Sequence, residues 1–133
     1  MRLNRTAGFR WSWGLAGVLL VAMAACDPPQ PTPAAGGAAT PAELQAGEAK
    51  FNANCSVCHG QQGTGTAQGP PLVHKIYEPN HHGDAAFQRA AAGGVRAHHW
   101  EFGNMPKIDA LTSADVDQII QYVRWLQKQA GIF

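Results

Sequence analysis

The 133-residue sequence has few charged residues, few aromatic residues and almost no net charge. Charged residues make up 14% of the chain, aromatic residues 8%, and the formal net charge is +1. A near-neutral chain lacks the broad basic surface of a nucleic-acid-binding protein. Its length is enough for one small domain, whose apolar core is modest. The composition therefore predicts a single domain that depends on a further stabilising element.

The start of the chain lacks an apolar run long enough to cross a membrane. The uncharged stretch over residues 11–25 has 15 residues, whereas a membrane-spanning helix needs about 20. Three arginines precede the stretch, and small residues end it. This arrangement is typical of a secretory signal peptide. We therefore predict that residues 1–25 are a signal peptide and that the protein is exported.

Cys26 directly follows this segment and has two interpretations. Residues 22–24, Ala-Met-Ala, fit the pattern for cleavage after Ala24, which would leave Cys26 as a spare thiol. Alternatively, residues 23–26 resemble a bacterial lipobox, whose cysteine is lipidated and becomes the new N-terminus. The resemblance implies a lipid anchor at Cys26 and, through Asp27, retention at the inner membrane. We predict a lipoprotein signal and a periplasmic protein tethered to the inner membrane.

Residues 26–39 are rich in Pro, Gly and Ala and contain no large apolar side chain. Such a segment cannot bury enough surface to fold. We predict that it is a disordered linker and that the folded domain spans residues 40–133.

Two capping patterns predict helix starts within residues 40–133. Thr40 with Glu43, and Thr112 with Asp115, have the spacing of a capping box. Apolar residues follow the second start with the 3.6-residue period of a helix. A shorter helix is expected over residues 84–92, and strand-like alternation is scarce. The sequence therefore predicts an all-α fold of three to four short helices with long loops.

Residues 55–59, Cys-Ser-Val-Cys-His, carry the strongest chemical signal. Two cysteines separated by two residues and followed by histidine are typical of c-type haem attachment. Zinc binding, a redox dithiol and a disulfide are the alternatives, but the chain has no second CxxC pair and no βαβ pattern. We predict one covalent haem c, with Cys55 and Cys58 forming the thioethers and His59 ligating the iron.

The second axial position of such a haem is either filled by a side chain or open. Met105 lies in a Gly-Asn-Met-Pro loop rather than on an apolar helix face, and it is the only methionine after the predicted signal peptide. We predict that Met105 is the second axial ligand. His98 or His99 is the alternative ligand.

Residues 41–133 resemble the class I cytochromes c, in particular the small bacterial mono-haem members. The resemblance implies the cytochrome c fold, wrapped around one haem, with the first and last helices crossing near Gly47. It also implies that the Pro70 carbonyl accepts the Nδ1–H of His59, with Pro71 as the alternative acceptor. The matching residues are Gly47, Phe51, Cys55 to His59, Gly69 to Leu72, Met105, Pro106, Tyr122 and Trp125.

Two further haem contacts follow from the resemblance. Leu72 is expected to pack on the haem, and Trp100 to donate a hydrogen bond to a haem propionate. For Trp100, plain loop packing is the alternative. The histidines depart from the usual pattern, since His81-His82 and His98-His99 form two adjacent pairs. We expect polar loop residues near the propionates, with a copper or zinc site as the alternative.

The resemblance implies an electron carrier rather than an enzyme. It would act between membrane or periplasmic redox partners that dock transiently, and we expect no nucleic acid and no small-molecule substrate. Three alternatives are kept: a cytochrome subunit of a larger oxidase or dehydrogenase, a haem enzyme or gas sensor with an open iron site, and a metal-binding protein that uses the histidine pairs.

Overall fold

The computed structural model describes residues 38–133, which form four α-helices. No strand occurs in this part of the chain, and the single β-type contact is an isolated antiparallel bridge between Val95 and Met105. The predicted all-α fold is confirmed. The helices are α1 (Gln45–Asn54), α2 (Ser56–His59), α3 (Asp84–Gly93) and α4 (Ser113–Gln129), and single 3-10 turns lie at Ala42–Leu44, Gln61–Gly63 and Lys75–Tyr77.

The N-terminal predictions fall largely outside this part of the chain. The predicted signal peptide over residues 1–25, Cys26 and most of the predicted linker lie outside the described residues. Among residues 38–133, none of the helices combines the length and the apolar character needed to cross a bilayer.

The two predicted capping boxes have different outcomes. At α4, the Thr112 hydroxyl accepts from the Asp115 amide at 3.2 Å, and the Asp115 carboxylate accepts from the Thr112 amide at 2.9 Å. The capping box predicted at Thr40 is wrong. The chain instead enters α1 through the Ala42–Leu44 turn, where Pro41 occupies the N-cap position without a side-chain hydrogen bond. Thr40 therefore precedes the capping position by one residue.

The first and last helices cross at Gly47. A Cβ atom at this position would overlap the backbone carbonyl of Gln118 on α4, so only glycine permits the approach. One turn further along α1, Phe51 is fully buried, and its ring centroid lies 5.6 Å from that of Tyr122. The close helix crossing expected near Gly47 is therefore present.

The apolar face of α4 organises the core. Near its start, α4 packs against Ala91 of α3 through Val116 and Ile120. The rest of the face packs against α1 and the loop that follows the CxxCH segment. The buried residues of this larger cluster are Phe51, Leu72, Ile119, Tyr122, Val123 and Leu126.

Candidate functional site

The CxxCH segment lies at the junction of α1 and α2. The Cys55 amide donates to the Phe51 carbonyl at 2.8 Å, which completes α1. The His59 amide then donates to the Cys55 carbonyl at 2.9 Å, which forms the single turn of α2. Residues four apart in a helical turn share one face. Cys55 and His59 accordingly line the same cavity.

The thiols of Cys55 and Cys58 are unpaired and half-buried. Burial, and to a lesser extent the neighbouring Cys58, raises the pKa of Cys55 to about 11. Thiol–disulfide exchange uses the thiolate as its nucleophile. The raised pKa of Cys55 therefore disfavours a redox dithiol.

A backbone carbonyl orients the imidazole of His59. The Nδ1 atom lies 2.8 Å from the Pro70 carbonyl, not from that of Pro71. A carbonyl only accepts, so Nδ1 carries the proton and Nε2 keeps a free lone pair. The pKa of His59 is lowered, because the effect of burial is larger than the opposite effect of the hydrogen bond to Pro70. The ring is thus held in the neutral form and tautomer that ligate a metal.

Met105 is positioned by the bridge to Val95. The amides and carbonyls of the two residues exchange two hydrogen bonds of 3.0 Å. The chain approaches this bridge closely at Gly94, which has φ +74°, and a Cβ there would lie 2.5 Å from the Met105 carbonyl. Both the positive φ and the lack of space require glycine. The bridge leaves the half-buried Met105 side chain in the wall of the cavity.

One cavity of about 650 Å³ brings most of the predicted site residues together. Its volume is typical of a cofactor site, which usually occupies roughly 300–1,000 Å³. Cys58 is not part of the wall, although it lies close enough to Cys55 to affect the pKa of that thiol. The predicted residues that line the cavity are Cys55, His59, Pro70, Leu72, Trp100 and Met105.

The Nε1 atom of Trp100 is buried and has no hydrogen-bond partner. Burial raises the pKa of the nearby Tyr77 phenol, and the indole opposes that rise to a lesser extent. The Trp100 N–H nevertheless does not reach hydrogen-bond geometry with the phenol. An unpaired buried donor is costly and uncommon. Since Trp100 lines the cavity, this donor suits a bound group that carries an acceptor at its edge.

The residues present therefore fit a haem. Phe87, Ile108, Leu111 and Ile119 supply apolar wall, and the Trp100 N–H offers a donor for a carboxylate. Cys55 and Cys58 would hold the group through thioethers, and His59 and Met105 would ligate its iron. When bound, haem supplies an iron that exchanges one electron.

An all-α domain with this motif and this cavity defines a helical protein that binds haem c. A family model described as Cytochrome c matches residues 44–127, which is well over half of the chain. The chain belongs to the cytochrome c family. It is a haem c electron-transfer protein, and its cofactor is one covalent haem c. The comparisons with curated proteins and with solved structures returned no match.

Sequence analysis missed two polar residues that hold the cavity loops. Gln127 is 1% exposed, and its Nε2 donates to the carbonyls of Leu72 and Tyr77 at 2.9 and 3.0 Å. Arg124 donates to the carbonyls of Tyr77 and His82 at 2.7 and 2.5 Å. A signal for Gln127 was present, because it falls on the apolar stripe of α4, where a polar residue needs a buried partner.

The structure brings the two histidine pairs together. Although they are far apart in sequence, His81 and His82 contact His98 and His99, and all four line the cavity. Desolvation, followed by the neighbouring His98, His82 and His81, lowers the pKa of His99. That imidazole is therefore neutral over a wider pH range than an isolated one.

Proposed function

We propose that this cytochrome is an exported one-electron carrier with His59 and Met105 as its axial iron ligands. The observation that carries the proposal is that both side chains line one cavity, each on backbone held by hydrogen bonds. His59 is oriented through Pro70, and Met105 is held by the bridge to Val95. A histidine–methionine pair closes both iron positions and raises the reduction potential.

The surrounding residues suit electron transfer rather than substrate chemistry. Apolar side chains such as Phe87, Leu111 and Ile119 would pack against the bound group. The short hydrogen bonds behind His59 and Met105 limit how far either ligand moves when the charge of the iron changes. Little reorganisation is then needed when the iron changes its oxidation state, which favours fast electron exchange.

The attachment motif also offers a surface for redox partners. Val57, between the two cysteines, is 70% exposed. An exposed apolar side chain beside the cofactor supports transient docking through apolar contacts, which the mild net charge of the chain does not oppose. The proposed partners are a donor and an acceptor of the periplasm or its inner membrane.

The ligand assignment is tested by the optical spectrum of the ferric protein. We expect the weak long-wavelength sulfur-to-iron charge-transfer band in the wild type and its loss in Met105→Ala. Ile108→Ala is the matched control, because Ile108 lines the same cavity on the same segment. The ferrous wild type should not bind CO, whereas ferrous Met105→Ala should. A wild type without the band, or one that binds CO, contradicts the proposal.

The proposed location is tested at Cys26. In a bacterial host with haem attachment, the full-length protein should be recovered with the inner membrane and should incorporate labelled fatty acid. Cys26→Ser should lose the label and move to the soluble periplasmic fraction with its haem intact. A soluble wild type, or a Cys26→Ser variant that stays with the membrane, contradicts the lipid anchor.

A further inference from the structure

Four imidazole rings meet in one cluster, here called the histidine cluster: His81, His82, His98 and His99. The ring centroids of His98 and His99 are 4.3 Å apart, and those of His81 and His82 are 4.7 Å apart. Across the two loops, His81 and His82 lie 5.2 and 5.1 Å from His99. The electron-carrier function proposed above does not require this cluster.

The distances between ring nitrogens fit a shared metal ion. Nε2 of His81 lies 3.3 Å from Nε2 of His99. Two nitrogens bound to one tetrahedral zinc ion at about 2.0–2.1 Å would lie about 3.3–3.4 Å apart. One ligand atom each from His81, His82 and His99 falls within 4.8 Å of the others. Ring rotations that bring His82 closer would complete a three-histidine site.

A hydrogen bond already orients one ring of this set as a metal ligand. Nδ1 of His82 lies 2.6 Å from the Ile76 carbonyl. Because a carbonyl only accepts, Nδ1 carries the proton and Nε2 keeps a lone pair. A backbone carbonyl behind the distal nitrogen is the usual support of a metal-binding histidine.

Both loops are held in place from outside the cluster. Arg124 donates to the His82 carbonyl at 2.5 Å and pairs with Asp84 at 2.9 Å. On the other loop, the Ala97 amide donates to the Asn104 side chain at 3.0 Å. The backbone next to the histidines is thus ordered before any ion binds, which lowers the entropic cost of binding.

We propose that His81, His82 and His99 bind one divalent transition-metal ion of the zinc or copper class. Imidazole nitrogens suit these ions, and the set contains no carboxylate that would favour calcium or magnesium. The fourth position is open to solvent. A bound ion would join the loop of His81 to the loop that leads to Met105, and so tie together two loops of the haem cavity wall.

The test uses the full-length haem-loaded protein, stripped of loose metal with a chelator and titrated with Zn²⁺ by calorimetry. We expect one ion per chain with micromolar or tighter affinity. His81→Ala and His99→Ala should each weaken binding by about 100-fold or more, since even supporting residues of a metal site contribute 10–100-fold. His74→Ala is the matched control, because His74 packs on Trp100 outside the cluster, and it should bind as the wild type does.

Two outcomes overturn the proposal at this step. One is the absence of stoichiometric binding. The other is a loss in His81→Ala or His99→Ala that is no greater than in His74→Ala. The haem spectrum and unfolding midpoint of each variant show that it is folded and loaded.

X-ray absorption at the zinc edge provides a readout that the haem iron does not disturb. We expect neighbours at about 2.0–2.1 Å together with the outer-shell scattering of about three imidazole rings, and an unchanged sulfur-to-iron band in His99→Ala. A zinc spectrum without imidazole scattering, or an altered iron spectrum in His99→Ala, contradicts the proposal. An altered iron spectrum would indicate that His99 is an iron ligand, and it would also contradict the assignment of Met105. A failed zinc titration with an intact sulfur-to-iron band would contradict the zinc site alone and leave Met105 as the axial ligand.

Discussion

The helical part of the domain and the loops around residues 74–83 and 95–106 hold the cofactor site by different means. In the helical part, α1 and α4 cross in contact and bury Phe51 and Tyr122 almost completely. In the loops, the histidines are mostly exposed, and Met105 depends on two backbone hydrogen bonds. The attachment cysteines and His59, the first proposed iron ligand, thus belong to the firmly packed region. Met105, the second proposed ligand, belongs to the looser one.

The helical part and the loops should therefore differ in their local stability. Regions with many buried apolar contacts open only with the whole protein, while loops held by a few hydrogen bonds open more easily. We therefore expect changes in the helical part to alter global unfolding. Changes in the loops should alter the properties of the bound haem at nearly constant stability. Arg124 is a special case, because it lies on α4 and contacts the loop of residues 74–83.

The largest effect is expected at the helix crossing. Gly47→Ala places a Cβ atom on the Gln118 carbonyl and should lower the free energy of unfolding by about 3 kcal/mol, measured by urea denaturation of the haem-loaded protein. Gly93→Ala is the matched control, because a Cβ at this helical glycine meets nothing within 4 Å. Gly93→Ala should leave the free energy of unfolding unchanged or raise it by up to about 1 kcal/mol. Equal losses in both variants would show that the crossing is not tight.

Arg124→Lys tests the connection between the two regions. The variant keeps the charge but loses the planar fork that reaches the carbonyls of Tyr77 and His82. The Tyr77 carbonyl keeps its bond from Gln127, but the His82 carbonyl loses its side-chain partner. This loss should lower the unfolding free energy by about 2 kcal/mol, and amide exchange should rise over residues 77–84. Arg89→Lys, at an exposed position of α3, should change neither quantity by much. Unchanged exchange in Arg124→Lys would mean that other contacts hold the loop.

Trp100→Phe should affect the haem and leave stability almost unchanged. It removes the unpaired Nε1 donor while keeping an aromatic ring. If the indole binds a propionate, losing its N–H leaves the carboxylate charge less compensated, which favours the ferric state and lowers the reduction potential. A loss that differs by up to about 1 kcal/mol between the two iron states corresponds to a shift of up to about 40 mV. Phe102→Leu, beside Trp100, is the control and should leave the potential unchanged. The same potential in Trp100→Phe and wild type would favour plain loop packing.

The smallest effect is expected at the start of α4 and depends on pH. Hydrogen bonds from Lys50 and Thr112 hold the pKa of Asp115 well below its usual value of 3.8. The ionised carboxylate therefore stabilises the fold at neutral pH, and this contribution is lost as the pH falls below about 4 toward the lowered pKa. Asp115→Asn should lower the denaturation midpoint at pH 7, and its difference from the wild type should shrink at pH 3.

The control for this pH dependence is Asp109→Asn, since Asp109 is 77% exposed in its pair with Lys107. Exposed pairs contribute little, so this variant should follow the wild type at both pH values. An Asp115→Asn difference that is the same at pH 7 and pH 3 would contradict the assigned role of the carboxylate.

Much of the fold was predictable because its signals are local. The period of apolar residues located α4, and the capping box at Thr112 marked its start, since both depend on neighbours within one or two turns. Gly47 indicated a close helix crossing for a similar reason, because glycine in a helix is otherwise unfavourable. The failure at Thr40 was also local: Pro41, rather than Thr40, took the capping position.

Other parts of the site had weak signals or none. The convergence of His81 and His99 depends on two loops that are joined only through the rest of the fold. The contacts of Arg124 with two carbonyls more than 40 residues away left no mark in the local pattern. Such contacts form only when the chain is packed, because the arrangement of its helices sets which loops meet.

The sequence by itself determined the haem-attachment chemistry and the positions of the main helices, since both follow from spacings of a few residues along the chain. Only the tertiary structure decided that His59 and Met105 share a cavity, that Trp100 leaves a donor without a partner, and that four histidines meet. The physical reason is that short spacings are set by backbone geometry. Contacts between distant loops are set by the packing of α1, α3 and α4 around one core.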